Sequence, residues 1–212
     1  MAVLDLQEQE QIDALKAWWK DNSNWIFVVV LIAAIAMGGW RGWQYYQNKQ
    51  SSEAATLYQQ FVEQLSSNDA KRVNDAAAAV MDKYAGTAYA PRAALIAAQV
   101  NEMGKDISRA KTQLQWVIDH AKEDGLKSAA SLRMASILLD EKNYTGALKF
   151  LDNKHPDTFD ALYADMKGDV LAAEGKTVEA RAAYQQAYNK FDAKSAYRNL
   201  VQMKMDALGA AK

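Results

Sequence analysis

Apolar and polar positions follow two different patterns along this chain. Residues 25–40 form an unbroken apolar run without a charged or strongly polar side chain. From Ser51 onward, apolar residues recur every three or four positions and short polar turns interrupt them, which is the pattern of amphipathic helices. The chain is therefore predicted to combine one membrane-type segment with a helical domain.

The apolar run is predicted to cross a membrane. Its 16 residues fall short of the length that a bilayer requires, which is about 20. The long side chain of Arg41 can reach the membrane surface and the aromatic residues after it add hydrophobic length, so the predicted transmembrane helix covers residues 25–46. Aromatic residues, which favour membrane interfaces, occur on both sides: Trp18, Trp19, Trp25, Trp40, Trp43, Tyr45 and Tyr46.

Two other interpretations of the run are weaker. A buried core helix would need a large apolar surround, which the alanine-rich remainder of the chain does not supply. A cleaved signal peptide would begin with a positive segment, whereas residues 1–24 carry five acidic and two basic side chains. Residues 1–24 are predicted to form a short amphipathic segment, with Ile12, Leu15 and Trp19 on one helical face.

The charges beside the span leave its orientation open. Lys16 and Lys20 on one side are matched by Arg41 and Lys49 on the other, so the positive-inside rule gives no direction.

Three small residues of the span share one helical face. Ala34, Gly38 and Gly42 recur every four positions, a pattern that lets a second helix approach closely. They are a candidate packing face for a second copy of this chain, forming a homo-dimer, or for another membrane protein. Small residues are common in membrane helices, and chance explains the spacing equally well.

An internal repeat organises the helical domain. Small residues form three pairs, each separated by 12 positions: Ala98 and Ala110, Ala135 and Ala147, Gly168 and Ala180. Successive pairs are offset by 37 and then 33 residues, which is tetratricopeptide-like spacing. Small side chains at these positions are predicted to let the two helices of each pair pack closely.

The predicted fold class is all-α: a single N-terminal transmembrane helix, then a tetratricopeptide-like α-solenoid over residues 51–212 with a C-terminal capping helix. Leu200, Met203 and Leu208 of the last helix are expected to cover the open end of the stack. The predicted helices of this domain are Ser51–Ser67, Ala70–Tyr84, Ala88–Met103, Ile107–Glu123, Leu126–Glu141, Thr145–Asp152, Asp157–Glu174, Thr177–Lys190 and Ala193–Leu208.

The first helix of each pair is expected to line the inner surface of such a stack. A mixed polar and apolar groove there would suit an extended peptide or a partner helix. For any single residue, an ordinary solvated surface position is the more frequent explanation. The candidate groove residues are Arg92, Gln99, Glu102, Leu132, Ser136, Asp165 and Asp169.

The composition argues against several classes of function. The 25 basic and 26 acidic side chains leave no positive field for nucleic acid. The chain has no cysteine, and its two histidines, His120 and His155, neither form a metal-ligand pair nor neighbour a nucleophile, so both are expected at the surface. No catalytic residue, metal site or cofactor is predicted, and the chain is not expected to be an enzyme.

Several segments together resemble the YfgM-like ancillary subunits of the bacterial Sec translocon, nearly from end to end. Residues 9–19 (QEQIDALKAWW) precede the span, and residues 38–41 (GGWR) end it. Residues 129–135 (AASLRMA) and 167–171 (KGDVL) lie in the repeat domain. No single segment is diagnostic; their order along the chain carries the resemblance.

The resemblance implies a bacterial inner-membrane protein with a cytoplasmic N-terminus and a periplasmic repeat domain. It implies association with the SecYEG channel and with a membrane-anchored periplasmic chaperone, PpiD. The implied task is to pass newly translocated chains, as unfolded secretory clients, to periplasmic chaperones. The alternative is a membrane-anchored scaffold for envelope or cell-division machinery.

Overall fold

The computed structural model describes the backbone of residues 2–67 and 69–209, and the side chains of these residues from Glu8 onward. All regular secondary structure in this part of the chain is helical, which confirms the predicted all-α class. The chain divides into two compact units, Met1–Lys49 and Gln50–Lys212. The first residue of the predicted N-terminal segment, and residues 68 and 210–212 of the predicted repeat domain, lie outside the described residues.

Nine α-helices and two short 3-10 helices make up the described residues. Apart from the start of the first helix, the predicted helix ends differ from the observed ones by at most three residues. The α-helices are α1 (Ala2–Gln64), α2 (Ala70–Tyr84), α3 (Tyr89–Met103), α4 (Ile107–His120), α5 (Asp124–Asp140), α6 (Tyr144–Leu151), α7 (Asp160–Ala173), α8 (Thr177–Lys190) and α9 (Ala196–Ala207), with 3-10 turns at Leu65–Ser67 and Asp157–Phe159.

Helix α1 is continuous where the sequence predicted separate segments. The expected new helix start at Ser51 is wrong, because α1 runs through it to Gln64. The prediction followed the change from apolar to polar composition. That change alters which solvent a helix prefers, but the stretch contains no proline to interrupt its backbone hydrogen bonds.

The apolar part of α1 is uncovered by the rest of the protein. This helix contains one segment long and apolar enough to cross a membrane, and none of that segment is buried within the protein. Leu31 and Trp40, for example, expose 61% and 64% of their surface. An apolar helix surface of this length requires an apolar solvent, which a bilayer supplies.

Three equivalent turns repeat the same backbone geometry in the second unit. Each turn places one residue in the left-handed region: Lys105 at φ 63°, Lys142 at φ 60° and Gly175 at φ 86°. These residues are offset by 37 and 33 positions, as the small-residue pairs are. In each turn the left-handed N–H donates to the carbonyl three residues earlier, at 2.9–3.1 Å. The repeat read from the sequence is therefore also a repeat of backbone conformation.

The predicted small residues lie buried where paired helices face each other. Ala98, Ala110, Ala135, Ala147 and Ala180 are fully buried, and Gly168 is buried as well. At Gly168 the fit is tight, because a Cβ built there would lie 2.4 Å from two ring atoms of Tyr184. Only glycine fits this crossing of α7 and α8 without a shift.

Three apolar clusters form the core of the second unit. Phe61 of α1 joins α2 and α3 in the first cluster. A central cluster, with Leu114 and Val117 of α4, continues through α5 and α6 to Val170 of α7. Val201 and Met205 of α9 close the third cluster against α7 and α8. The capping role of α9 is confirmed, but Leu200 and Met203 were wrongly placed on its covering face, since both are exposed.

A buried network of three carboxamides crosses the first cluster. Asn74 of α2, Asn101 of α3 and Gln113 of α4 are each less than 9% exposed. Asn101 and Gln113 both donate to the Asn74 carbonyl oxygen at 2.8 Å, and Asn101 also donates to Gln113 at 2.7 Å. Because polar atoms in an apolar interior are costly without partners, this closed network favours one alignment of α2, α3 and α4.

Replacing Gly168 with alanine tests the close crossing. We expect Gly168→Ala to lower the free energy of unfolding by about 1–3 kcal/mol, because its methyl group must displace the Tyr184 ring. The matched control is Gly86→Ala, where a Cβ meets no atom within 4 Å. Urea unfolding of the full-length protein in detergent, followed by circular dichroism, measures both; equal stabilities for the two variants would contradict the packing described here.

Candidate protein-binding surface

The candidate groove residues lie on the first helices of the pairs. Direct hydrogen bonds join neighbouring helices in a row: Arg133 of α5 donates to α3, Tyr163 of α7 donates to α5, and Lys204 of α9 donates to α7. We call this row of α3, α5, α7 and α9 the inner surface. The seven candidate residues belong to three of its helices. Their accessibility to a partner depends on whether their side chains already bond to a neighbouring helix.

Two candidates near the start of the row are engaged by α5 or by the residue that precedes it. Arg92 donates two parallel hydrogen bonds to the Glu123 carboxylate, both at 2.9 Å. The side-chain oxygen of Gln99 accepts from Arg133 at 3.1 Å, and the same guanidinium donates to the Leu95 carbonyl at 3.3 Å. These contacts join α3 to α5, so Arg92 and Gln99 stabilise the row as well as lining it.

Glu102 lies near these contacts between α3 and α5, but they leave one of its carboxylate oxygens without a hydrogen bond. One of its carboxylate oxygens is buried and has no hydrogen-bond partner among the described residues. Burial raises the pKa of this carboxyl above its usual value, and the nearby Arg133 charge offsets only part of that effect. Glu102 is therefore half-buried, and its oxygen without a hydrogen-bond partner is covered by the protein itself.

The two aspartates near the other end of the row hold the capping helix. The ammonium of Lys204 lies 2.8 Å from both the Asp165 and the Asp169 carboxylates. Asp169 also accepts from the Tyr184 hydroxyl at 2.8 Å. Asp165 and Asp169 thus form a clamp with Lys204 that attaches α9 to α7, and we call these three residues the α9 clamp.

One cation between two carboxylates explains the titration of the clamp. Burial raises the pKa of Asp165, and the charge on Asp169 acts in the same direction. Burial alone would lower the pKa of Lys204, but the two carboxylates outweigh it and raise that pKa. Burial also raises the pKa of Tyr184, whose hydroxyl donates to Asp169. The clamp therefore keeps its lysine charged, while one carboxylate gains protons more easily than usual.

Apolar side chains remain accessible on the inner surface. Leu132 and Ser136 of α5 are half-buried. On α9, Leu200 exposes 45% and Met203 exposes 67% of its surface. With Ala196 and Ala207 these two residues are spaced by four, three and four positions, so they share one face of α9. The candidate groove predicted from the sequence did not include this face, although the spacing was visible.

Comparison with known proteins identifies the family. Residues 16–210 match the model of a tetratricopeptide repeat-like domain. The chain is 32% identical over 207 residues to a Neisseria gonorrhoeae protein named ancillary SecYEG translocon subunit, with 96% of this chain and 98% of that protein covered. The chain belongs to the YfgM-like family of ancillary translocon subunits with a tetratricopeptide repeat-like domain.

Other members of this family carry the same name. A Haemophilus influenzae protein is 28% identical, with 86% of this chain and 89% of that protein covered. An Escherichia coli protein is also 28% identical, with 95% and 96% covered. The names describe a non-catalytic kind of protein. No solved structure matches the chain significantly.

The candidate packing face of the YfgM-like span is open in the isolated protein. Ala34, Gly38 and Gly42 are exposed, and a Cβ at either glycine would meet no atom within 4 Å. The role of this face in membrane contacts stays a prediction. One apolar helix in a family of translocon subunits fits a single-pass protein of the inner membrane.

The two histidines stack on aromatic rings. His120 is exposed and lies 4.4 Å from the Trp116 ring, measured between centroids. His155 is half-buried and lies 3.8 Å from the Tyr163 ring, so it is less exposed than the sequence suggested. Within residues 8–67 and 69–209, no group of three or more His, Asp or Glu side chains is arranged to hold a metal ion.

Replacing Lys204 with methionine tests the α9 clamp. We expect Lys204→Met to destabilise the attachment of α9 by about 1–3 kcal/mol, because two partly buried carboxylates lose their cation. Hydrogen–deuterium exchange should accelerate in α9 while α2 and α3 keep their rates. Lys194→Met, which removes an exposed charge just before α9, is the control. Unchanged exchange in α9 would show that the ion pairs do not hold it.

Replacing Glu102 with glutamine tests the pH dependence of the inner surface. A carboxyl with a raised pKa in the folded state contributes stability at low pH, and loses it as pH rises through that pKa. At pH 7 we expect Glu102→Gln to raise the unfolding free energy by less than about 1 kcal/mol, since solvent screens this half-buried site. The gain should vanish below the ordinary pKa of 4.5.

The exposed Glu63→Gln substitution is the control for that titration. Unfolding midpoints of both variants between pH 4 and 7 provide the measurement. A gain for Glu102→Gln that grows on acidification would have the wrong sign and would contradict the assignment.

Proposed function

We propose that this protein is an ancillary subunit of the SecYEG translocon that binds newly translocated proteins and helps to hand them to periplasmic chaperones. The observation that carries the proposal is the extent of the family likeness. It covers 96% of the chain, and so includes both the apolar helix and the repeat domain. The relatives are named as SecYEG subunits, and similarity over both units supports the same association here.

The proposed orientation has a cytoplasmic N-terminus and a periplasmic repeat domain. The charges on the two sides of the span balance, so this orientation is supported by the proposed task. A domain that receives translocated polypeptides must lie on the side where they emerge. The span would then contact membrane partners, with Ala34, Gly38 and Gly42 as the candidate face.

The inner surface is the proposed contact for clients or for a PpiD-like chaperone. Leu132, Leu200 and Met203 offer apolar contacts of different shapes, and an unbranched methionine adapts to different partners. Glu102 adds a half-buried carboxylate as a polar contact. This combination suits an amphipathic helix or an extended segment that brings one donor beside several apolar side chains.

Affinity purification from gently solubilised membranes tests the proposed association. We expect SecYEG and a membrane-anchored periplasmic chaperone to be recovered with the wild-type protein. Met203→Glu should reduce recovery of the chaperone about tenfold, because it places a charge in the apolar contact. Recovery of SecYEG should be unchanged, because the membrane span is its proposed contact.

Gln202→Glu is the matched control, since it adds the same charge at an exposed polar position of α9 about 100° around the helix from Met203. Recovery of division proteins without any Sec component would overturn the proposed function. Equal recovery of the chaperone by both variants would exclude the α9 face as its contact.

Labelling of single cysteines tests the proposed orientation. The natural sequence has no cysteine, so each introduced thiol is the only one. In spheroplasts, whose outer membrane is open and whose inner membrane is intact, we expect an impermeant maleimide to label Ser108→Cys. Gln9→Cys should react only after the inner membrane is opened. The reverse pattern would place the repeat domain in the cytoplasm and contradict the proposal.

A further inference from the structure

A pocket lies where the short helix α6 ends, and α7 and α8 line most of it. Helix α6 has 8 residues, whereas α4 and α8 have 14 each. The missing six residues correspond to about 9 Å of helix. Beyond the end of α6, α7 and α8 line a pocket of about 480 Å³. This volume lies within the range of ligand sites, about 300–1,000 Å³.

The floor of the pocket is apolar and held in place. Leu151, Tyr163 and Ala164 form it. Tyr163 is only 4% exposed, and its hydroxyl donates to the Ser128 carbonyl at 3.2 Å. The imidazole of His155 stacks on the Tyr163 ring and forms part of the wall. A ligand would therefore meet a rigid apolar base.

Both oxygens of the rim carboxylate, Asp160, already face donors within the protein. Asp160 accepts from Lys190 at 2.6 Å through one oxygen, and its other oxygen lies 3.3 Å from Nε2 of His155. Hydrogen bonding to Lys190 lowers the pKa of Asp160, so the group stays ionised and committed to these partners. Each oxygen of Asp160 thus already has a donor within the protein, and one acceptor site remains on each.

Apart from Asp160 and the amide of Gln186, which can donate or accept, the polar side chains at the rim offer hydrogen-bond donors. Lys190 and Lys167 each carry three ammonium hydrogens, and one of these on each lysine is directed to Asp160 or Asp152. The side-chain oxygen of Asn189 accepts from Gln185 at 3.2 Å, which leaves its amide hydrogens for another acceptor. The rim therefore offers donors above an apolar floor.

We propose that this pocket binds a carboxylate attached to a short apolar segment of another polypeptide. The carboxylate would accept from Lys167, Lys190 and Asn189, while the neighbouring apolar side chain rests on Tyr163 and Ala164. Either the C-terminus of a polypeptide or an acidic side group within it can supply this carboxylate. The site lies on α6, α7 and α8, and it shares no residue with the proposed contact on the inner surface.

The charges around the pocket make its recognition short-ranged. Asp152 and Asp157 lie near the two lysines and offset much of their positive charge. Attraction over longer distances is therefore weak, and selectivity arises from hydrogen-bond geometry at the rim. Binding should accordingly weaken by less than about tenfold between 50 and 200 mM salt.

The two histidines provide a direct assay with an internal control. Selective isotope labelling of the full-length protein in nanodiscs, purified without a histidine tag, gives signals from His155 in the pocket and from His120 outside it. The probes are three acetylated tetrapeptides: Ala-Leu-Ala-Leu with a free C-terminus, the same peptide amidated, and amidated Ala-Leu-Glu-Leu. We expect a peptide with a carboxylate to shift His155 in a saturable manner and to leave His120 unchanged.

The three peptides distinguish the source of the carboxylate. A shift with the free C-terminus alone assigns the pocket to polypeptide ends, and a shift with amidated Ala-Leu-Glu-Leu alone assigns it to acidic side chains. Shifts with both support a general carboxylate site. No shift of His155, an equal shift of His120, or an equal effect of the amidated peptide without glutamate would overturn the proposal.

An isosteric substitution tests the role of the rim. Asn189→Asp keeps the acceptor for Gln185 but places a negative charge where the ligand carboxylate would lie. We expect it to weaken binding about tenfold or more, because like charges repel at contact. Asn199→Asp adds the same charge on α9 and should leave binding unchanged. Circular dichroism confirms that both variants are folded, and equal affinities for them would refute the site.

Discussion

The close crossing of paired helices is the constraint on which the rest of the second unit depends. Where Gly168 faces Tyr184, no room remains for a single methyl group. Alanine occupies the equivalent positions of the two preceding pairs and is fully buried there. Packing without spare volume leaves little freedom in the angle between two helices, so each pair is expected to move as a rigid element. The three left-handed turns repeat that element at the same offsets.

Rigid pairs still have to be aligned with one another, and polar groups contribute much of that alignment. Near the start of the stack, the carboxamide network of Asn74, Asn101 and Gln113 fixes α2, α3 and α4. Along the inner surface, Arg133 and Lys204 each reach back to the preceding first helix. These bridges occupy positions that would otherwise be open to a partner. The surface left for binding is consequently more apolar than its sequence composition suggests.

The sequence predicted well what depends on spacing between residues. The span follows from an unbroken apolar run, and the stack follows from small residues 12 positions apart. Contacts between residues that are far apart in the sequence could not be predicted from it. Asp165 and Asp169 read as free groove residues because their partner, Lys204, lies 39 and 35 positions away. The exposed face of α9 was misassigned for a related reason, since both of its faces carry large apolar residues and only packing shows which one is covered.

The central claim is that the inner surface, and the α9 face in particular, binds another protein within a translocon complex. Hydrogen–deuterium exchange tests it most directly, by comparing the full-length protein alone in nanodiscs with the same protein in a complex purified with SecYEG and its chaperone. We expect slower exchange in α5 and α9, because bound protein suppresses local opening of the helices it covers. Unchanged exchange in both helices, with protection confined to other parts of the repeat domain, would contradict it.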